Sequence, residues 1–250
     1  GVPADMDALR DFAEPRGIVL VEDAAQAYGS RRNGRPAGTM APLAGFSFHG
    51  TKNVVGGEAG ALVVNDRELA AKAAIAREKG TDRSRFLAGE VDFYTWQDVG
   101  SSHLVSELTA AFLRGQLENA DQINAERLEL WTRYCSELSE LGARGCFSLP
   151  SPPASVEHNA HIFFLVLANR EERDNLASTL AARGISAYWH YVPLHSSPGG
   201  QRYGRTAGSM TETCRAADCL LRLPLFQGLG AQQDQVIDAV RDWAENRVPA

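Results

Sequence analysis

Met6, Leu9 and Phe12 recur at three-residue spacing between Asp5 and Gly17, which predicts a short amphipathic helix over residues 5–14 with Asp5 as its N-cap. The pattern then changes. Ile18, Val19, Leu20 and Val21 form an unbroken β-prone run that ends at Glu22-Asp23, and residues 44–48 and 60–64 repeat it. Short strands apolar on both faces imply a covered sheet of the α/β kind. An Asn65-Asp66 cap opens an alanine-rich helix that should run to about Lys79 and stop at Gly80. From about Ser106 the spacing becomes that of a long helical stretch, carried by Ile123, Leu130, Trp131, Tyr134, Leu138 and Leu141. Pro150, Pro152 and Pro153 mark a connection after it.

Beyond that connection, residues 161–167 read as a strand, 172–183 as a helix and 185–192 as another strand. Residues 211–221 and 231–246 read as helices on either side of Leu223-Pro224-Leu225-Phe226. The expected organisation is an α/β part over residues 1–120 and a smaller α+β domain over 121–250, divided inside or just before the long helix. No internal repeat interrupts it.

Composition narrows the function classes. The 250 residues are 44% hydrophobic and 22% charged, the balance of a globular protein, with room for one large or two modest cores. The net charge of −6 is spread in mixed signs, which argues against a nucleic-acid surface. No apolar run approaches the roughly 20 residues that span a bilayer, so no membrane partner is expected. Cys135, Cys146, Cys214 and Cys219 form no CxxC pair and no metal-ligand spacing with the histidines. Reduced thiols in a cytoplasmic protein without a bound metal are the expectation. The first residues show no signal-peptide pattern; they lack an initiator Met and read as though the chain opens inside a domain.

Chemistry concentrates in two stretches. Ser47-Phe48-His49-Gly50-Thr51-Lys52-Asn53 follows a buried strand and leads into Gly56-Gly57-Glu58-Ala59-Gly60-Ala61. A lysine held in a glycine-bearing loop beyond a strand is placed for Schiff-base chemistry if partly desolvated. Glu22-Asp23-Ala24-Ala25-Gln26 ends another apolar strand, where open α/β sheets place their ligands. Pyridoxal phosphate (PLP) needs a carboxylate of this kind, because its ring nitrogen must stay protonated for the ring to draw electrons. Taken singly, Asp23 also suits a cap and Lys52 a surface turn.

The run from Val21 to Ala61 resembles the DegT/DnrJ/EryC1/StrS sugar aminotransferases, and the resemblance continues through residues 77–84 and 94–102. Asn159-Ala160-His161 and the segment from His190 to His195 are most similar to members that make dTDP-4-amino-4,6-dideoxygalactose. The resemblance implies a PLP-dependent transferase of fold type I, with an incomplete large domain of mainly parallel sheet and a smaller C-terminal domain. It implies that Lys52 carries the cofactor and moves protons, that Asp23 pairs with the pyridinium, and that Gln26 lies beside the ring. Ser47 matches a phosphate contact, and Ser102 is a candidate phosphate contact reaching a second subunit, with a helix-capping role as its alternative. His49, Arg83, His161 and His195 are the candidates for the nucleotide-sugar site; Trp96, Trp189 and Tyr191 read as core or interface aromatics.

Ser102 and Leu104 stand where the commoner family pattern has Asn and Arg, a departure shared with the subgroup named above. Related PLP sugar dehydratases place His where Lys52 stands, which argues against dehydration. Family members carry further chain before the position matching Gly1, including a glycine-threonine phosphate turn. The implied reaction is amination of a dTDP-linked 4-keto-6-deoxy sugar with glutamate as donor, in a homodimer with shared active sites. The alternative is a truncated, non-catalytic subunit that at most dimerises or binds a partner. A Schiff-base lyase without PLP would leave Asp23 and Gln26 without a task.

Overall fold

A computed structural model describes residues 1–246, which form two compact units: Gly1–Asn124 with Pro153–Asn159, and Ala125–Pro152 with the residues from Ala160 onward. In the first unit, helix α1 (Met6–Ala13) starts where Asp5 accepts a hydrogen bond from Ala8 N at 3.1 Å, and the chain leaves through Gly17 at φ +64°. Five strands follow: β1 (Val21–Asp23), β2 (Arg31–Arg32), β3 (Arg35–Pro36), β4 (Leu43–Ser47) and β5 (Gly60–Val64). Strands β1 and β4 pair in parallel with Asp23 opposite Gly45, and β4 pairs antiparallel with β5.

This sheet therefore has one parallel and one antiparallel pairing, where a mainly parallel sheet was expected. The segment between β4 and β5 contains no crossover helix, and a parallel return needs one. The first strand also sits later than the apolar run suggests. Ile18 and Val19 precede β1 and are exposed, and Val21 in β1 and Leu62 in β5 are likewise exposed, so faces expected to be covered are open in this chain. A small ribbon joins β3, β2 and β6 (Val156–Glu157), and it draws Pro153–Asn159 into the first unit.

Helix α2 (Arg67–Arg77) begins at Asp66, which accepts from Glu68 N, and its C-terminus is closed by Gly80 N donating to Ile75 O at 2.9 Å. A short helix α3 (Arg83–Leu87) precedes α4 (Glu107–Glu118). Ser106 caps α4 by accepting from Thr109 N at 3.1 Å, so the capping role considered for Ser102 belongs to Ser106. Helix α5 (Ala120–Ala143) follows after Asn119, and the division between the units falls within it, at Asn124.

The second unit contains β7 (Phe163–Val166), α6 (Arg170–Ala182), β8 (Tyr188–Trp189), α7 (Pro198–Tyr203), α8 (Thr211–Cys219), β9 (Leu220–Leu223) and α9 (Gln232–Glu245). Its sheet has the order β7-β9-β8, with both pairings antiparallel. Tyr134 stacks on Phe163 with ring centroids 4.8 Å apart and donates its hydroxyl to Pro224 O; burial pushes its pKa up from the usual phenol value. Leu138, Leu165, Leu176, Leu180 and Leu221 complete a core in which each side chain is fully buried, a burial that contributes roughly 1.5–3 kcal/mol per leucine.

Candidate functional site

Lys52 lies in the loop between β4 and β5, and that loop is fastened at both ends. Phe48 N donates to Ala59 O at 2.8 Å and Gly56 N to Phe48 O at 2.6 Å. Inside the loop, Val54 is 1% exposed and packs with Phe48 and Ala120. Lys52 itself is half-buried, and among the described residues its ammonium has no hydrogen-bond or ion-pair partner. His49 braces the same loop: its Nδ1 lies 3.0 Å from Thr51 Oγ1, and its Nε2 lies 3.4 Å from Glu58. Both ring nitrogens are thus engaged locally.

Asp23 and Ser47 end adjacent parallel strands, so both stand at the carboxyl edge of the sheet from which the Lys52 loop departs. Asp23 is exposed and accepts from Ala25 N at 3.0 Å through Oδ1, which shapes the turn that carries Gln26. Ser47 Oγ accepts from His49 N at 3.3 Å.

Three asparagines join the Gln26 turn to the lysine loop. Asn159 Nδ2 donates to Gln26 O at 3.1 Å and Tyr28 O at 3.0 Å, and its backbone N donates to Ser30 Oγ. Asn53, next to Lys52, donates to Asn159 O at 2.7 Å and to Asn124 Oδ1 at 2.9 Å. Asn124 in turn donates to Tyr28 O. Sequence reading recognised Asn159 only as part of a motif and passed over Asn124, because side-chain-to-carbonyl links between distant segments leave no periodic signal. Asn159→Ala is expected to destabilise the first unit by about 1–3 kcal/mol, through carbonyls left unpaired. It should also speed amide hydrogen exchange across residues 48–59, and unchanged exchange there would remove the network from the account.

Arg83 and Ser102 belong to a neighbouring part of the first unit. The 76–82 and 95–103 segments cross where Ser101 N donates to Ala76 O and Lys79 N to Ser101 O, both at 3.0 Å. The crossing requires glycine twice. A Cβ on Gly80 would sit 1.8 Å from Asp98 O, and one on Gly100 would sit 2.2 Å from Gly80 N. Gly100→Ala is therefore expected to lower stability by about 1–3 kcal/mol, read as a thermal shift. Ser102 is exposed and bridges to Glu78, whose buried carboxylate lies 4.0 Å from Arg83 and 3.5 Å from Arg77. Trp96 is 76% exposed, and Trp189 and Tyr191 are also exposed, so none of the three is a core aromatic.

His161 and His195 fall in the second unit. His161 is buried; its carbonyl accepts from Arg127 Nη2 at 2.6 Å, and Arg127 Nε donates to Ala160 O at 3.1 Å. Ala160 has φ +49°, a conformation costly for a side chain with a Cβ, and Arg127 secures it. Burial lowers the Arg127 pKa to about 10, which leaves it charged at neutral pH. His195 lies in a short helical turn with Nε2 3.5 Å from Cys214 Sγ, at the edge of a cavity of about 560 Å³ that Arg205 and Thr213 also line. No group of three or more metal-ligating side chains occurs among the described residues.

The sequence pattern of the DegT/DnrJ/EryC1/StrS aminotransferase family matches residues 1–241. The chain belongs to that family. A DegT/DnrJ/EryC1/StrS relative, dTDP-3-amino-3,4,6-trideoxy-alpha-D-glucose transaminase of Streptomyces venezuelae, is 37% identical over 248 residues, covering 98% of this chain and 62% of its own. The dTDP-4-dehydro-2,3,6-trideoxy-D-glucose 4-aminotransferase of Saccharopolyspora spinosa is 30% identical, covering 99% of this chain and 64% of its own. The crystal structure of S. venezuelae DesV in complex with a ketimine intermediate superposes with a TM-score of 0.84 at 37% identity, over 99% of this chain and 63% of that one. The aminotransferase TlmJ from Streptoalloteichus hindustanus gives 0.86 at 28% identity, over 99% and 64%. The fold is thus that of the PLP-dependent transferases of type I, and the chain spans less than two thirds of the length of these four proteins.

The family's enzymes depend on PLP. The residues present suit that cofactor: Lys52 offers an amine without a hydrogen-bond or ion-pair partner among the described residues, and Asp23 keeps a carboxylate oxygen that its own turn does not use. No helix among the described residues is long and apolar enough to cross a membrane.

Proposed function

We propose that this chain carries the catalytic lysine of a PLP-dependent aminotransferase that aminates a keto sugar carried on a nucleoside diphosphate. The observation that carries the reading is the placement of Lys52 on a fastened loop at the strand edge that also bears Asp23 and Ser47. When bound, PLP supplies an electron-withdrawing ring that makes a proton on the neighbouring carbon labile. Lys52 anchors the group covalently through its Nζ and then moves that proton. Asp23 keeps the ring nitrogen protonated, Gln26 lies beside the ring, and Ser47 and Ser102 hold the phosphate, Ser102 in a second subunit. His49, Arg83, His161 and His195 are the candidates for substrate contact, Arg83 having a guanidinium suited to a diphosphate.

The specific reading is a dTDP-linked 4-keto-6-deoxy sugar converted to the 4-amino galactose epimer, with glutamate as donor, by a homodimer in the cytoplasm. Phe93, Trp96, Val99 and Leu108 are each more than three-quarters exposed, which supports a second copy covering them. A second reading, amination at carbon 3, is favoured by the 37% identical relative, which is named for a 3-amino sugar. The test is incubation with PLP, glutamate and either the 4-keto or the 3-keto dTDP sugar, with the amino sugar identified by mass and NMR. Product from the 4-keto sugar alone supports the specific reading, and product from the 3-keto sugar alone supports the second. A chain that neither binds PLP nor forms product supports the non-catalytic alternative.

A further inference from the structure

Of the four cysteines, Cys214 alone is exposed. Cys135 and Cys146 are half-buried against the core of the second unit, and burial pushes the Cys135 thiol up to about 11. Cys219 is buried at the far end of α8 and donates to Ala168 O at 3.8 Å. Cys214 Sγ instead lies 3.5 Å from Nε2 of His195, a residue 19 positions earlier in the chain.

Each member of this pair is held by its own turn. His195 sits in the Leu194–Ser196 turn, closed by Ser196 N donating to Pro193 O and Ser197 N to Leu194 O, both at 3.1 Å. Helix α7 packs on that turn so closely that a Cβ on Gly200 would lie 1.6 Å from Leu194 O. Cys214 lies near the start of α8, where its N–H donates to Met210 O at 2.9 Å. A thiol attacks as its thiolate, and an imidazole nitrogen at hydrogen-bond distance takes the proton as it does so. The tautomer with its proton on Nδ1 leaves Nε2 able to accept. His195 also lines the cavity of about 560 Å³, together with Gln201, Arg205, Met210 and Thr213. Arg205 has no hydrogen-bond or ion-pair partner among the described residues, whereas Glu212 is paired with Arg215 at 2.8 Å. The cavity therefore offers a reagent room beside His195 and an uncompensated positive charge on its wall.

We propose that Cys214 is a thiol modification site, in which His195 acts as the base and the cavity receives a small disulfide bearing carboxylates. Cys214 gives its thiol proton to His195 Nε2, and its sulfur attacks one sulfur of the disulfide. A mixed S–S bond forms as the old one breaks, and the departing half takes the proton from His195 and leaves as a thiol. Cys214 is oxidised and the disulfide reduced, with no further oxidant. Cys219 lies five residues along α8 and faces another side of it, so the helix supplies no second thiol to displace the adduct. The site is independent of the aminotransferase reading, since the exchange needs neither PLP nor Lys52.

The test is incubation of the full chain with oxidised glutathione, which is anionic, and separately with cystamine, which is cationic, the adducts being located and timed by peptide mass spectrometry. The expected result is an adduct at Cys214 before any at Cys135, Cys146 or Cys219. His195→Asn should slow that reaction about tenfold or more. Arg205→Gln should slow oxidised glutathione about threefold or more at low ionic strength, and should not slow cystamine. Earlier reaction at another cysteine, or a Cys214 rate unchanged in His195→Asn, overturns the site. Equal effects of Arg205→Gln on the two disulfides overturn the preference for a carboxylate-bearing reagent. If His195→Asn fails to fold by circular dichroism, His195→Gln is measured in its place, and an unchanged Cys214 rate there overturns the proposal equally.

Discussion

Lys52→Ala is expected to abolish the visible absorbance that develops when PLP is added to the protein, and to reduce glutamate-dependent amination by at least about 10³-fold. The two losses have one cause. Alanine has no amine to form the covalent bond with the cofactor and none to carry the proton between donor, cofactor and sugar. Stability should move by less than about 0.5 kcal/mol, because Lys52 is only half-buried and its ammonium has no partner among the described residues. The fastening of the loop by Phe48, Asn53, Val54 and Gly56 does not pass through it. Lys52→Arg sharpens the test, since it keeps the positive charge yet offers no nucleophile at neutral pH, and it should fail as completely as alanine. Retained turnover in either variant, with a normal melting curve, would remove Lys52 from the chemistry.

Much of the fold was legible because local signals and tertiary packing agree. Asp5, Asp66 and Ser106 are polar residues immediately before helical spacing begins, and each accepts a hydrogen bond from the first turn of its helix. Gly60–Val64 is a strand over the residues its apolar run marks. Disagreements arise where pairing partners are distant. Strand β9 was read partly as the end of a helix, because Cys219-Leu220-Leu221 continues an apolar pattern that suits either state. Its identity is decided by β7 and β8, which lie 57 and 32 residues away at Phe163 and Tyr188 when counted from Leu220. The β2-β3-β6 ribbon has only two residues per strand, too few for any period to show.

The candidate site divides in the same way. Lys52, Asp23, Gln26 and Ser47 stand out as candidates because their residue types lie in contiguous stretches at strand ends, and the structure places those strand ends in one unit. His161 and His195 lie in the other unit, so the contiguous-motif argument carries less for them. Asn124 and Arg127 hold carbonyls of segments more than 30 residues away, and neither stands out among the polar residues of α5. Ser102 shows the limit of a positional argument: a serine near a helix start reads as a cap, but the cap is made by Ser106, four residues later.

Asp23 separates structure from chemistry more cleanly than any other position. Asp23→Asn keeps a side-chain oxygen where Oδ1 accepts from Ala25 N, so the turn leading to Gln26 should survive and thermal stability should change little. What the substitution removes is the negative charge that the proposed function sets against the ring nitrogen of the cofactor. A neutral amide in its place would no longer favour a proton on that nitrogen, so the ring would withdraw electrons less strongly. A loss of about 10²–10³-fold in kcat is expected, the usual size for deleting one electrostatic contact at a reacting centre. PLP attachment through Lys52 should persist, because that bond does not depend on the ring nitrogen, and the absorbance band should remain. Asp23→Ala should lose both turn and charge, and so fall in stability as well as rate. An Asn variant with undiminished kcat would place the pyridinium partner elsewhere, while one that loses the absorbance band would show that Asp23 holds the cofactor instead of tuning it.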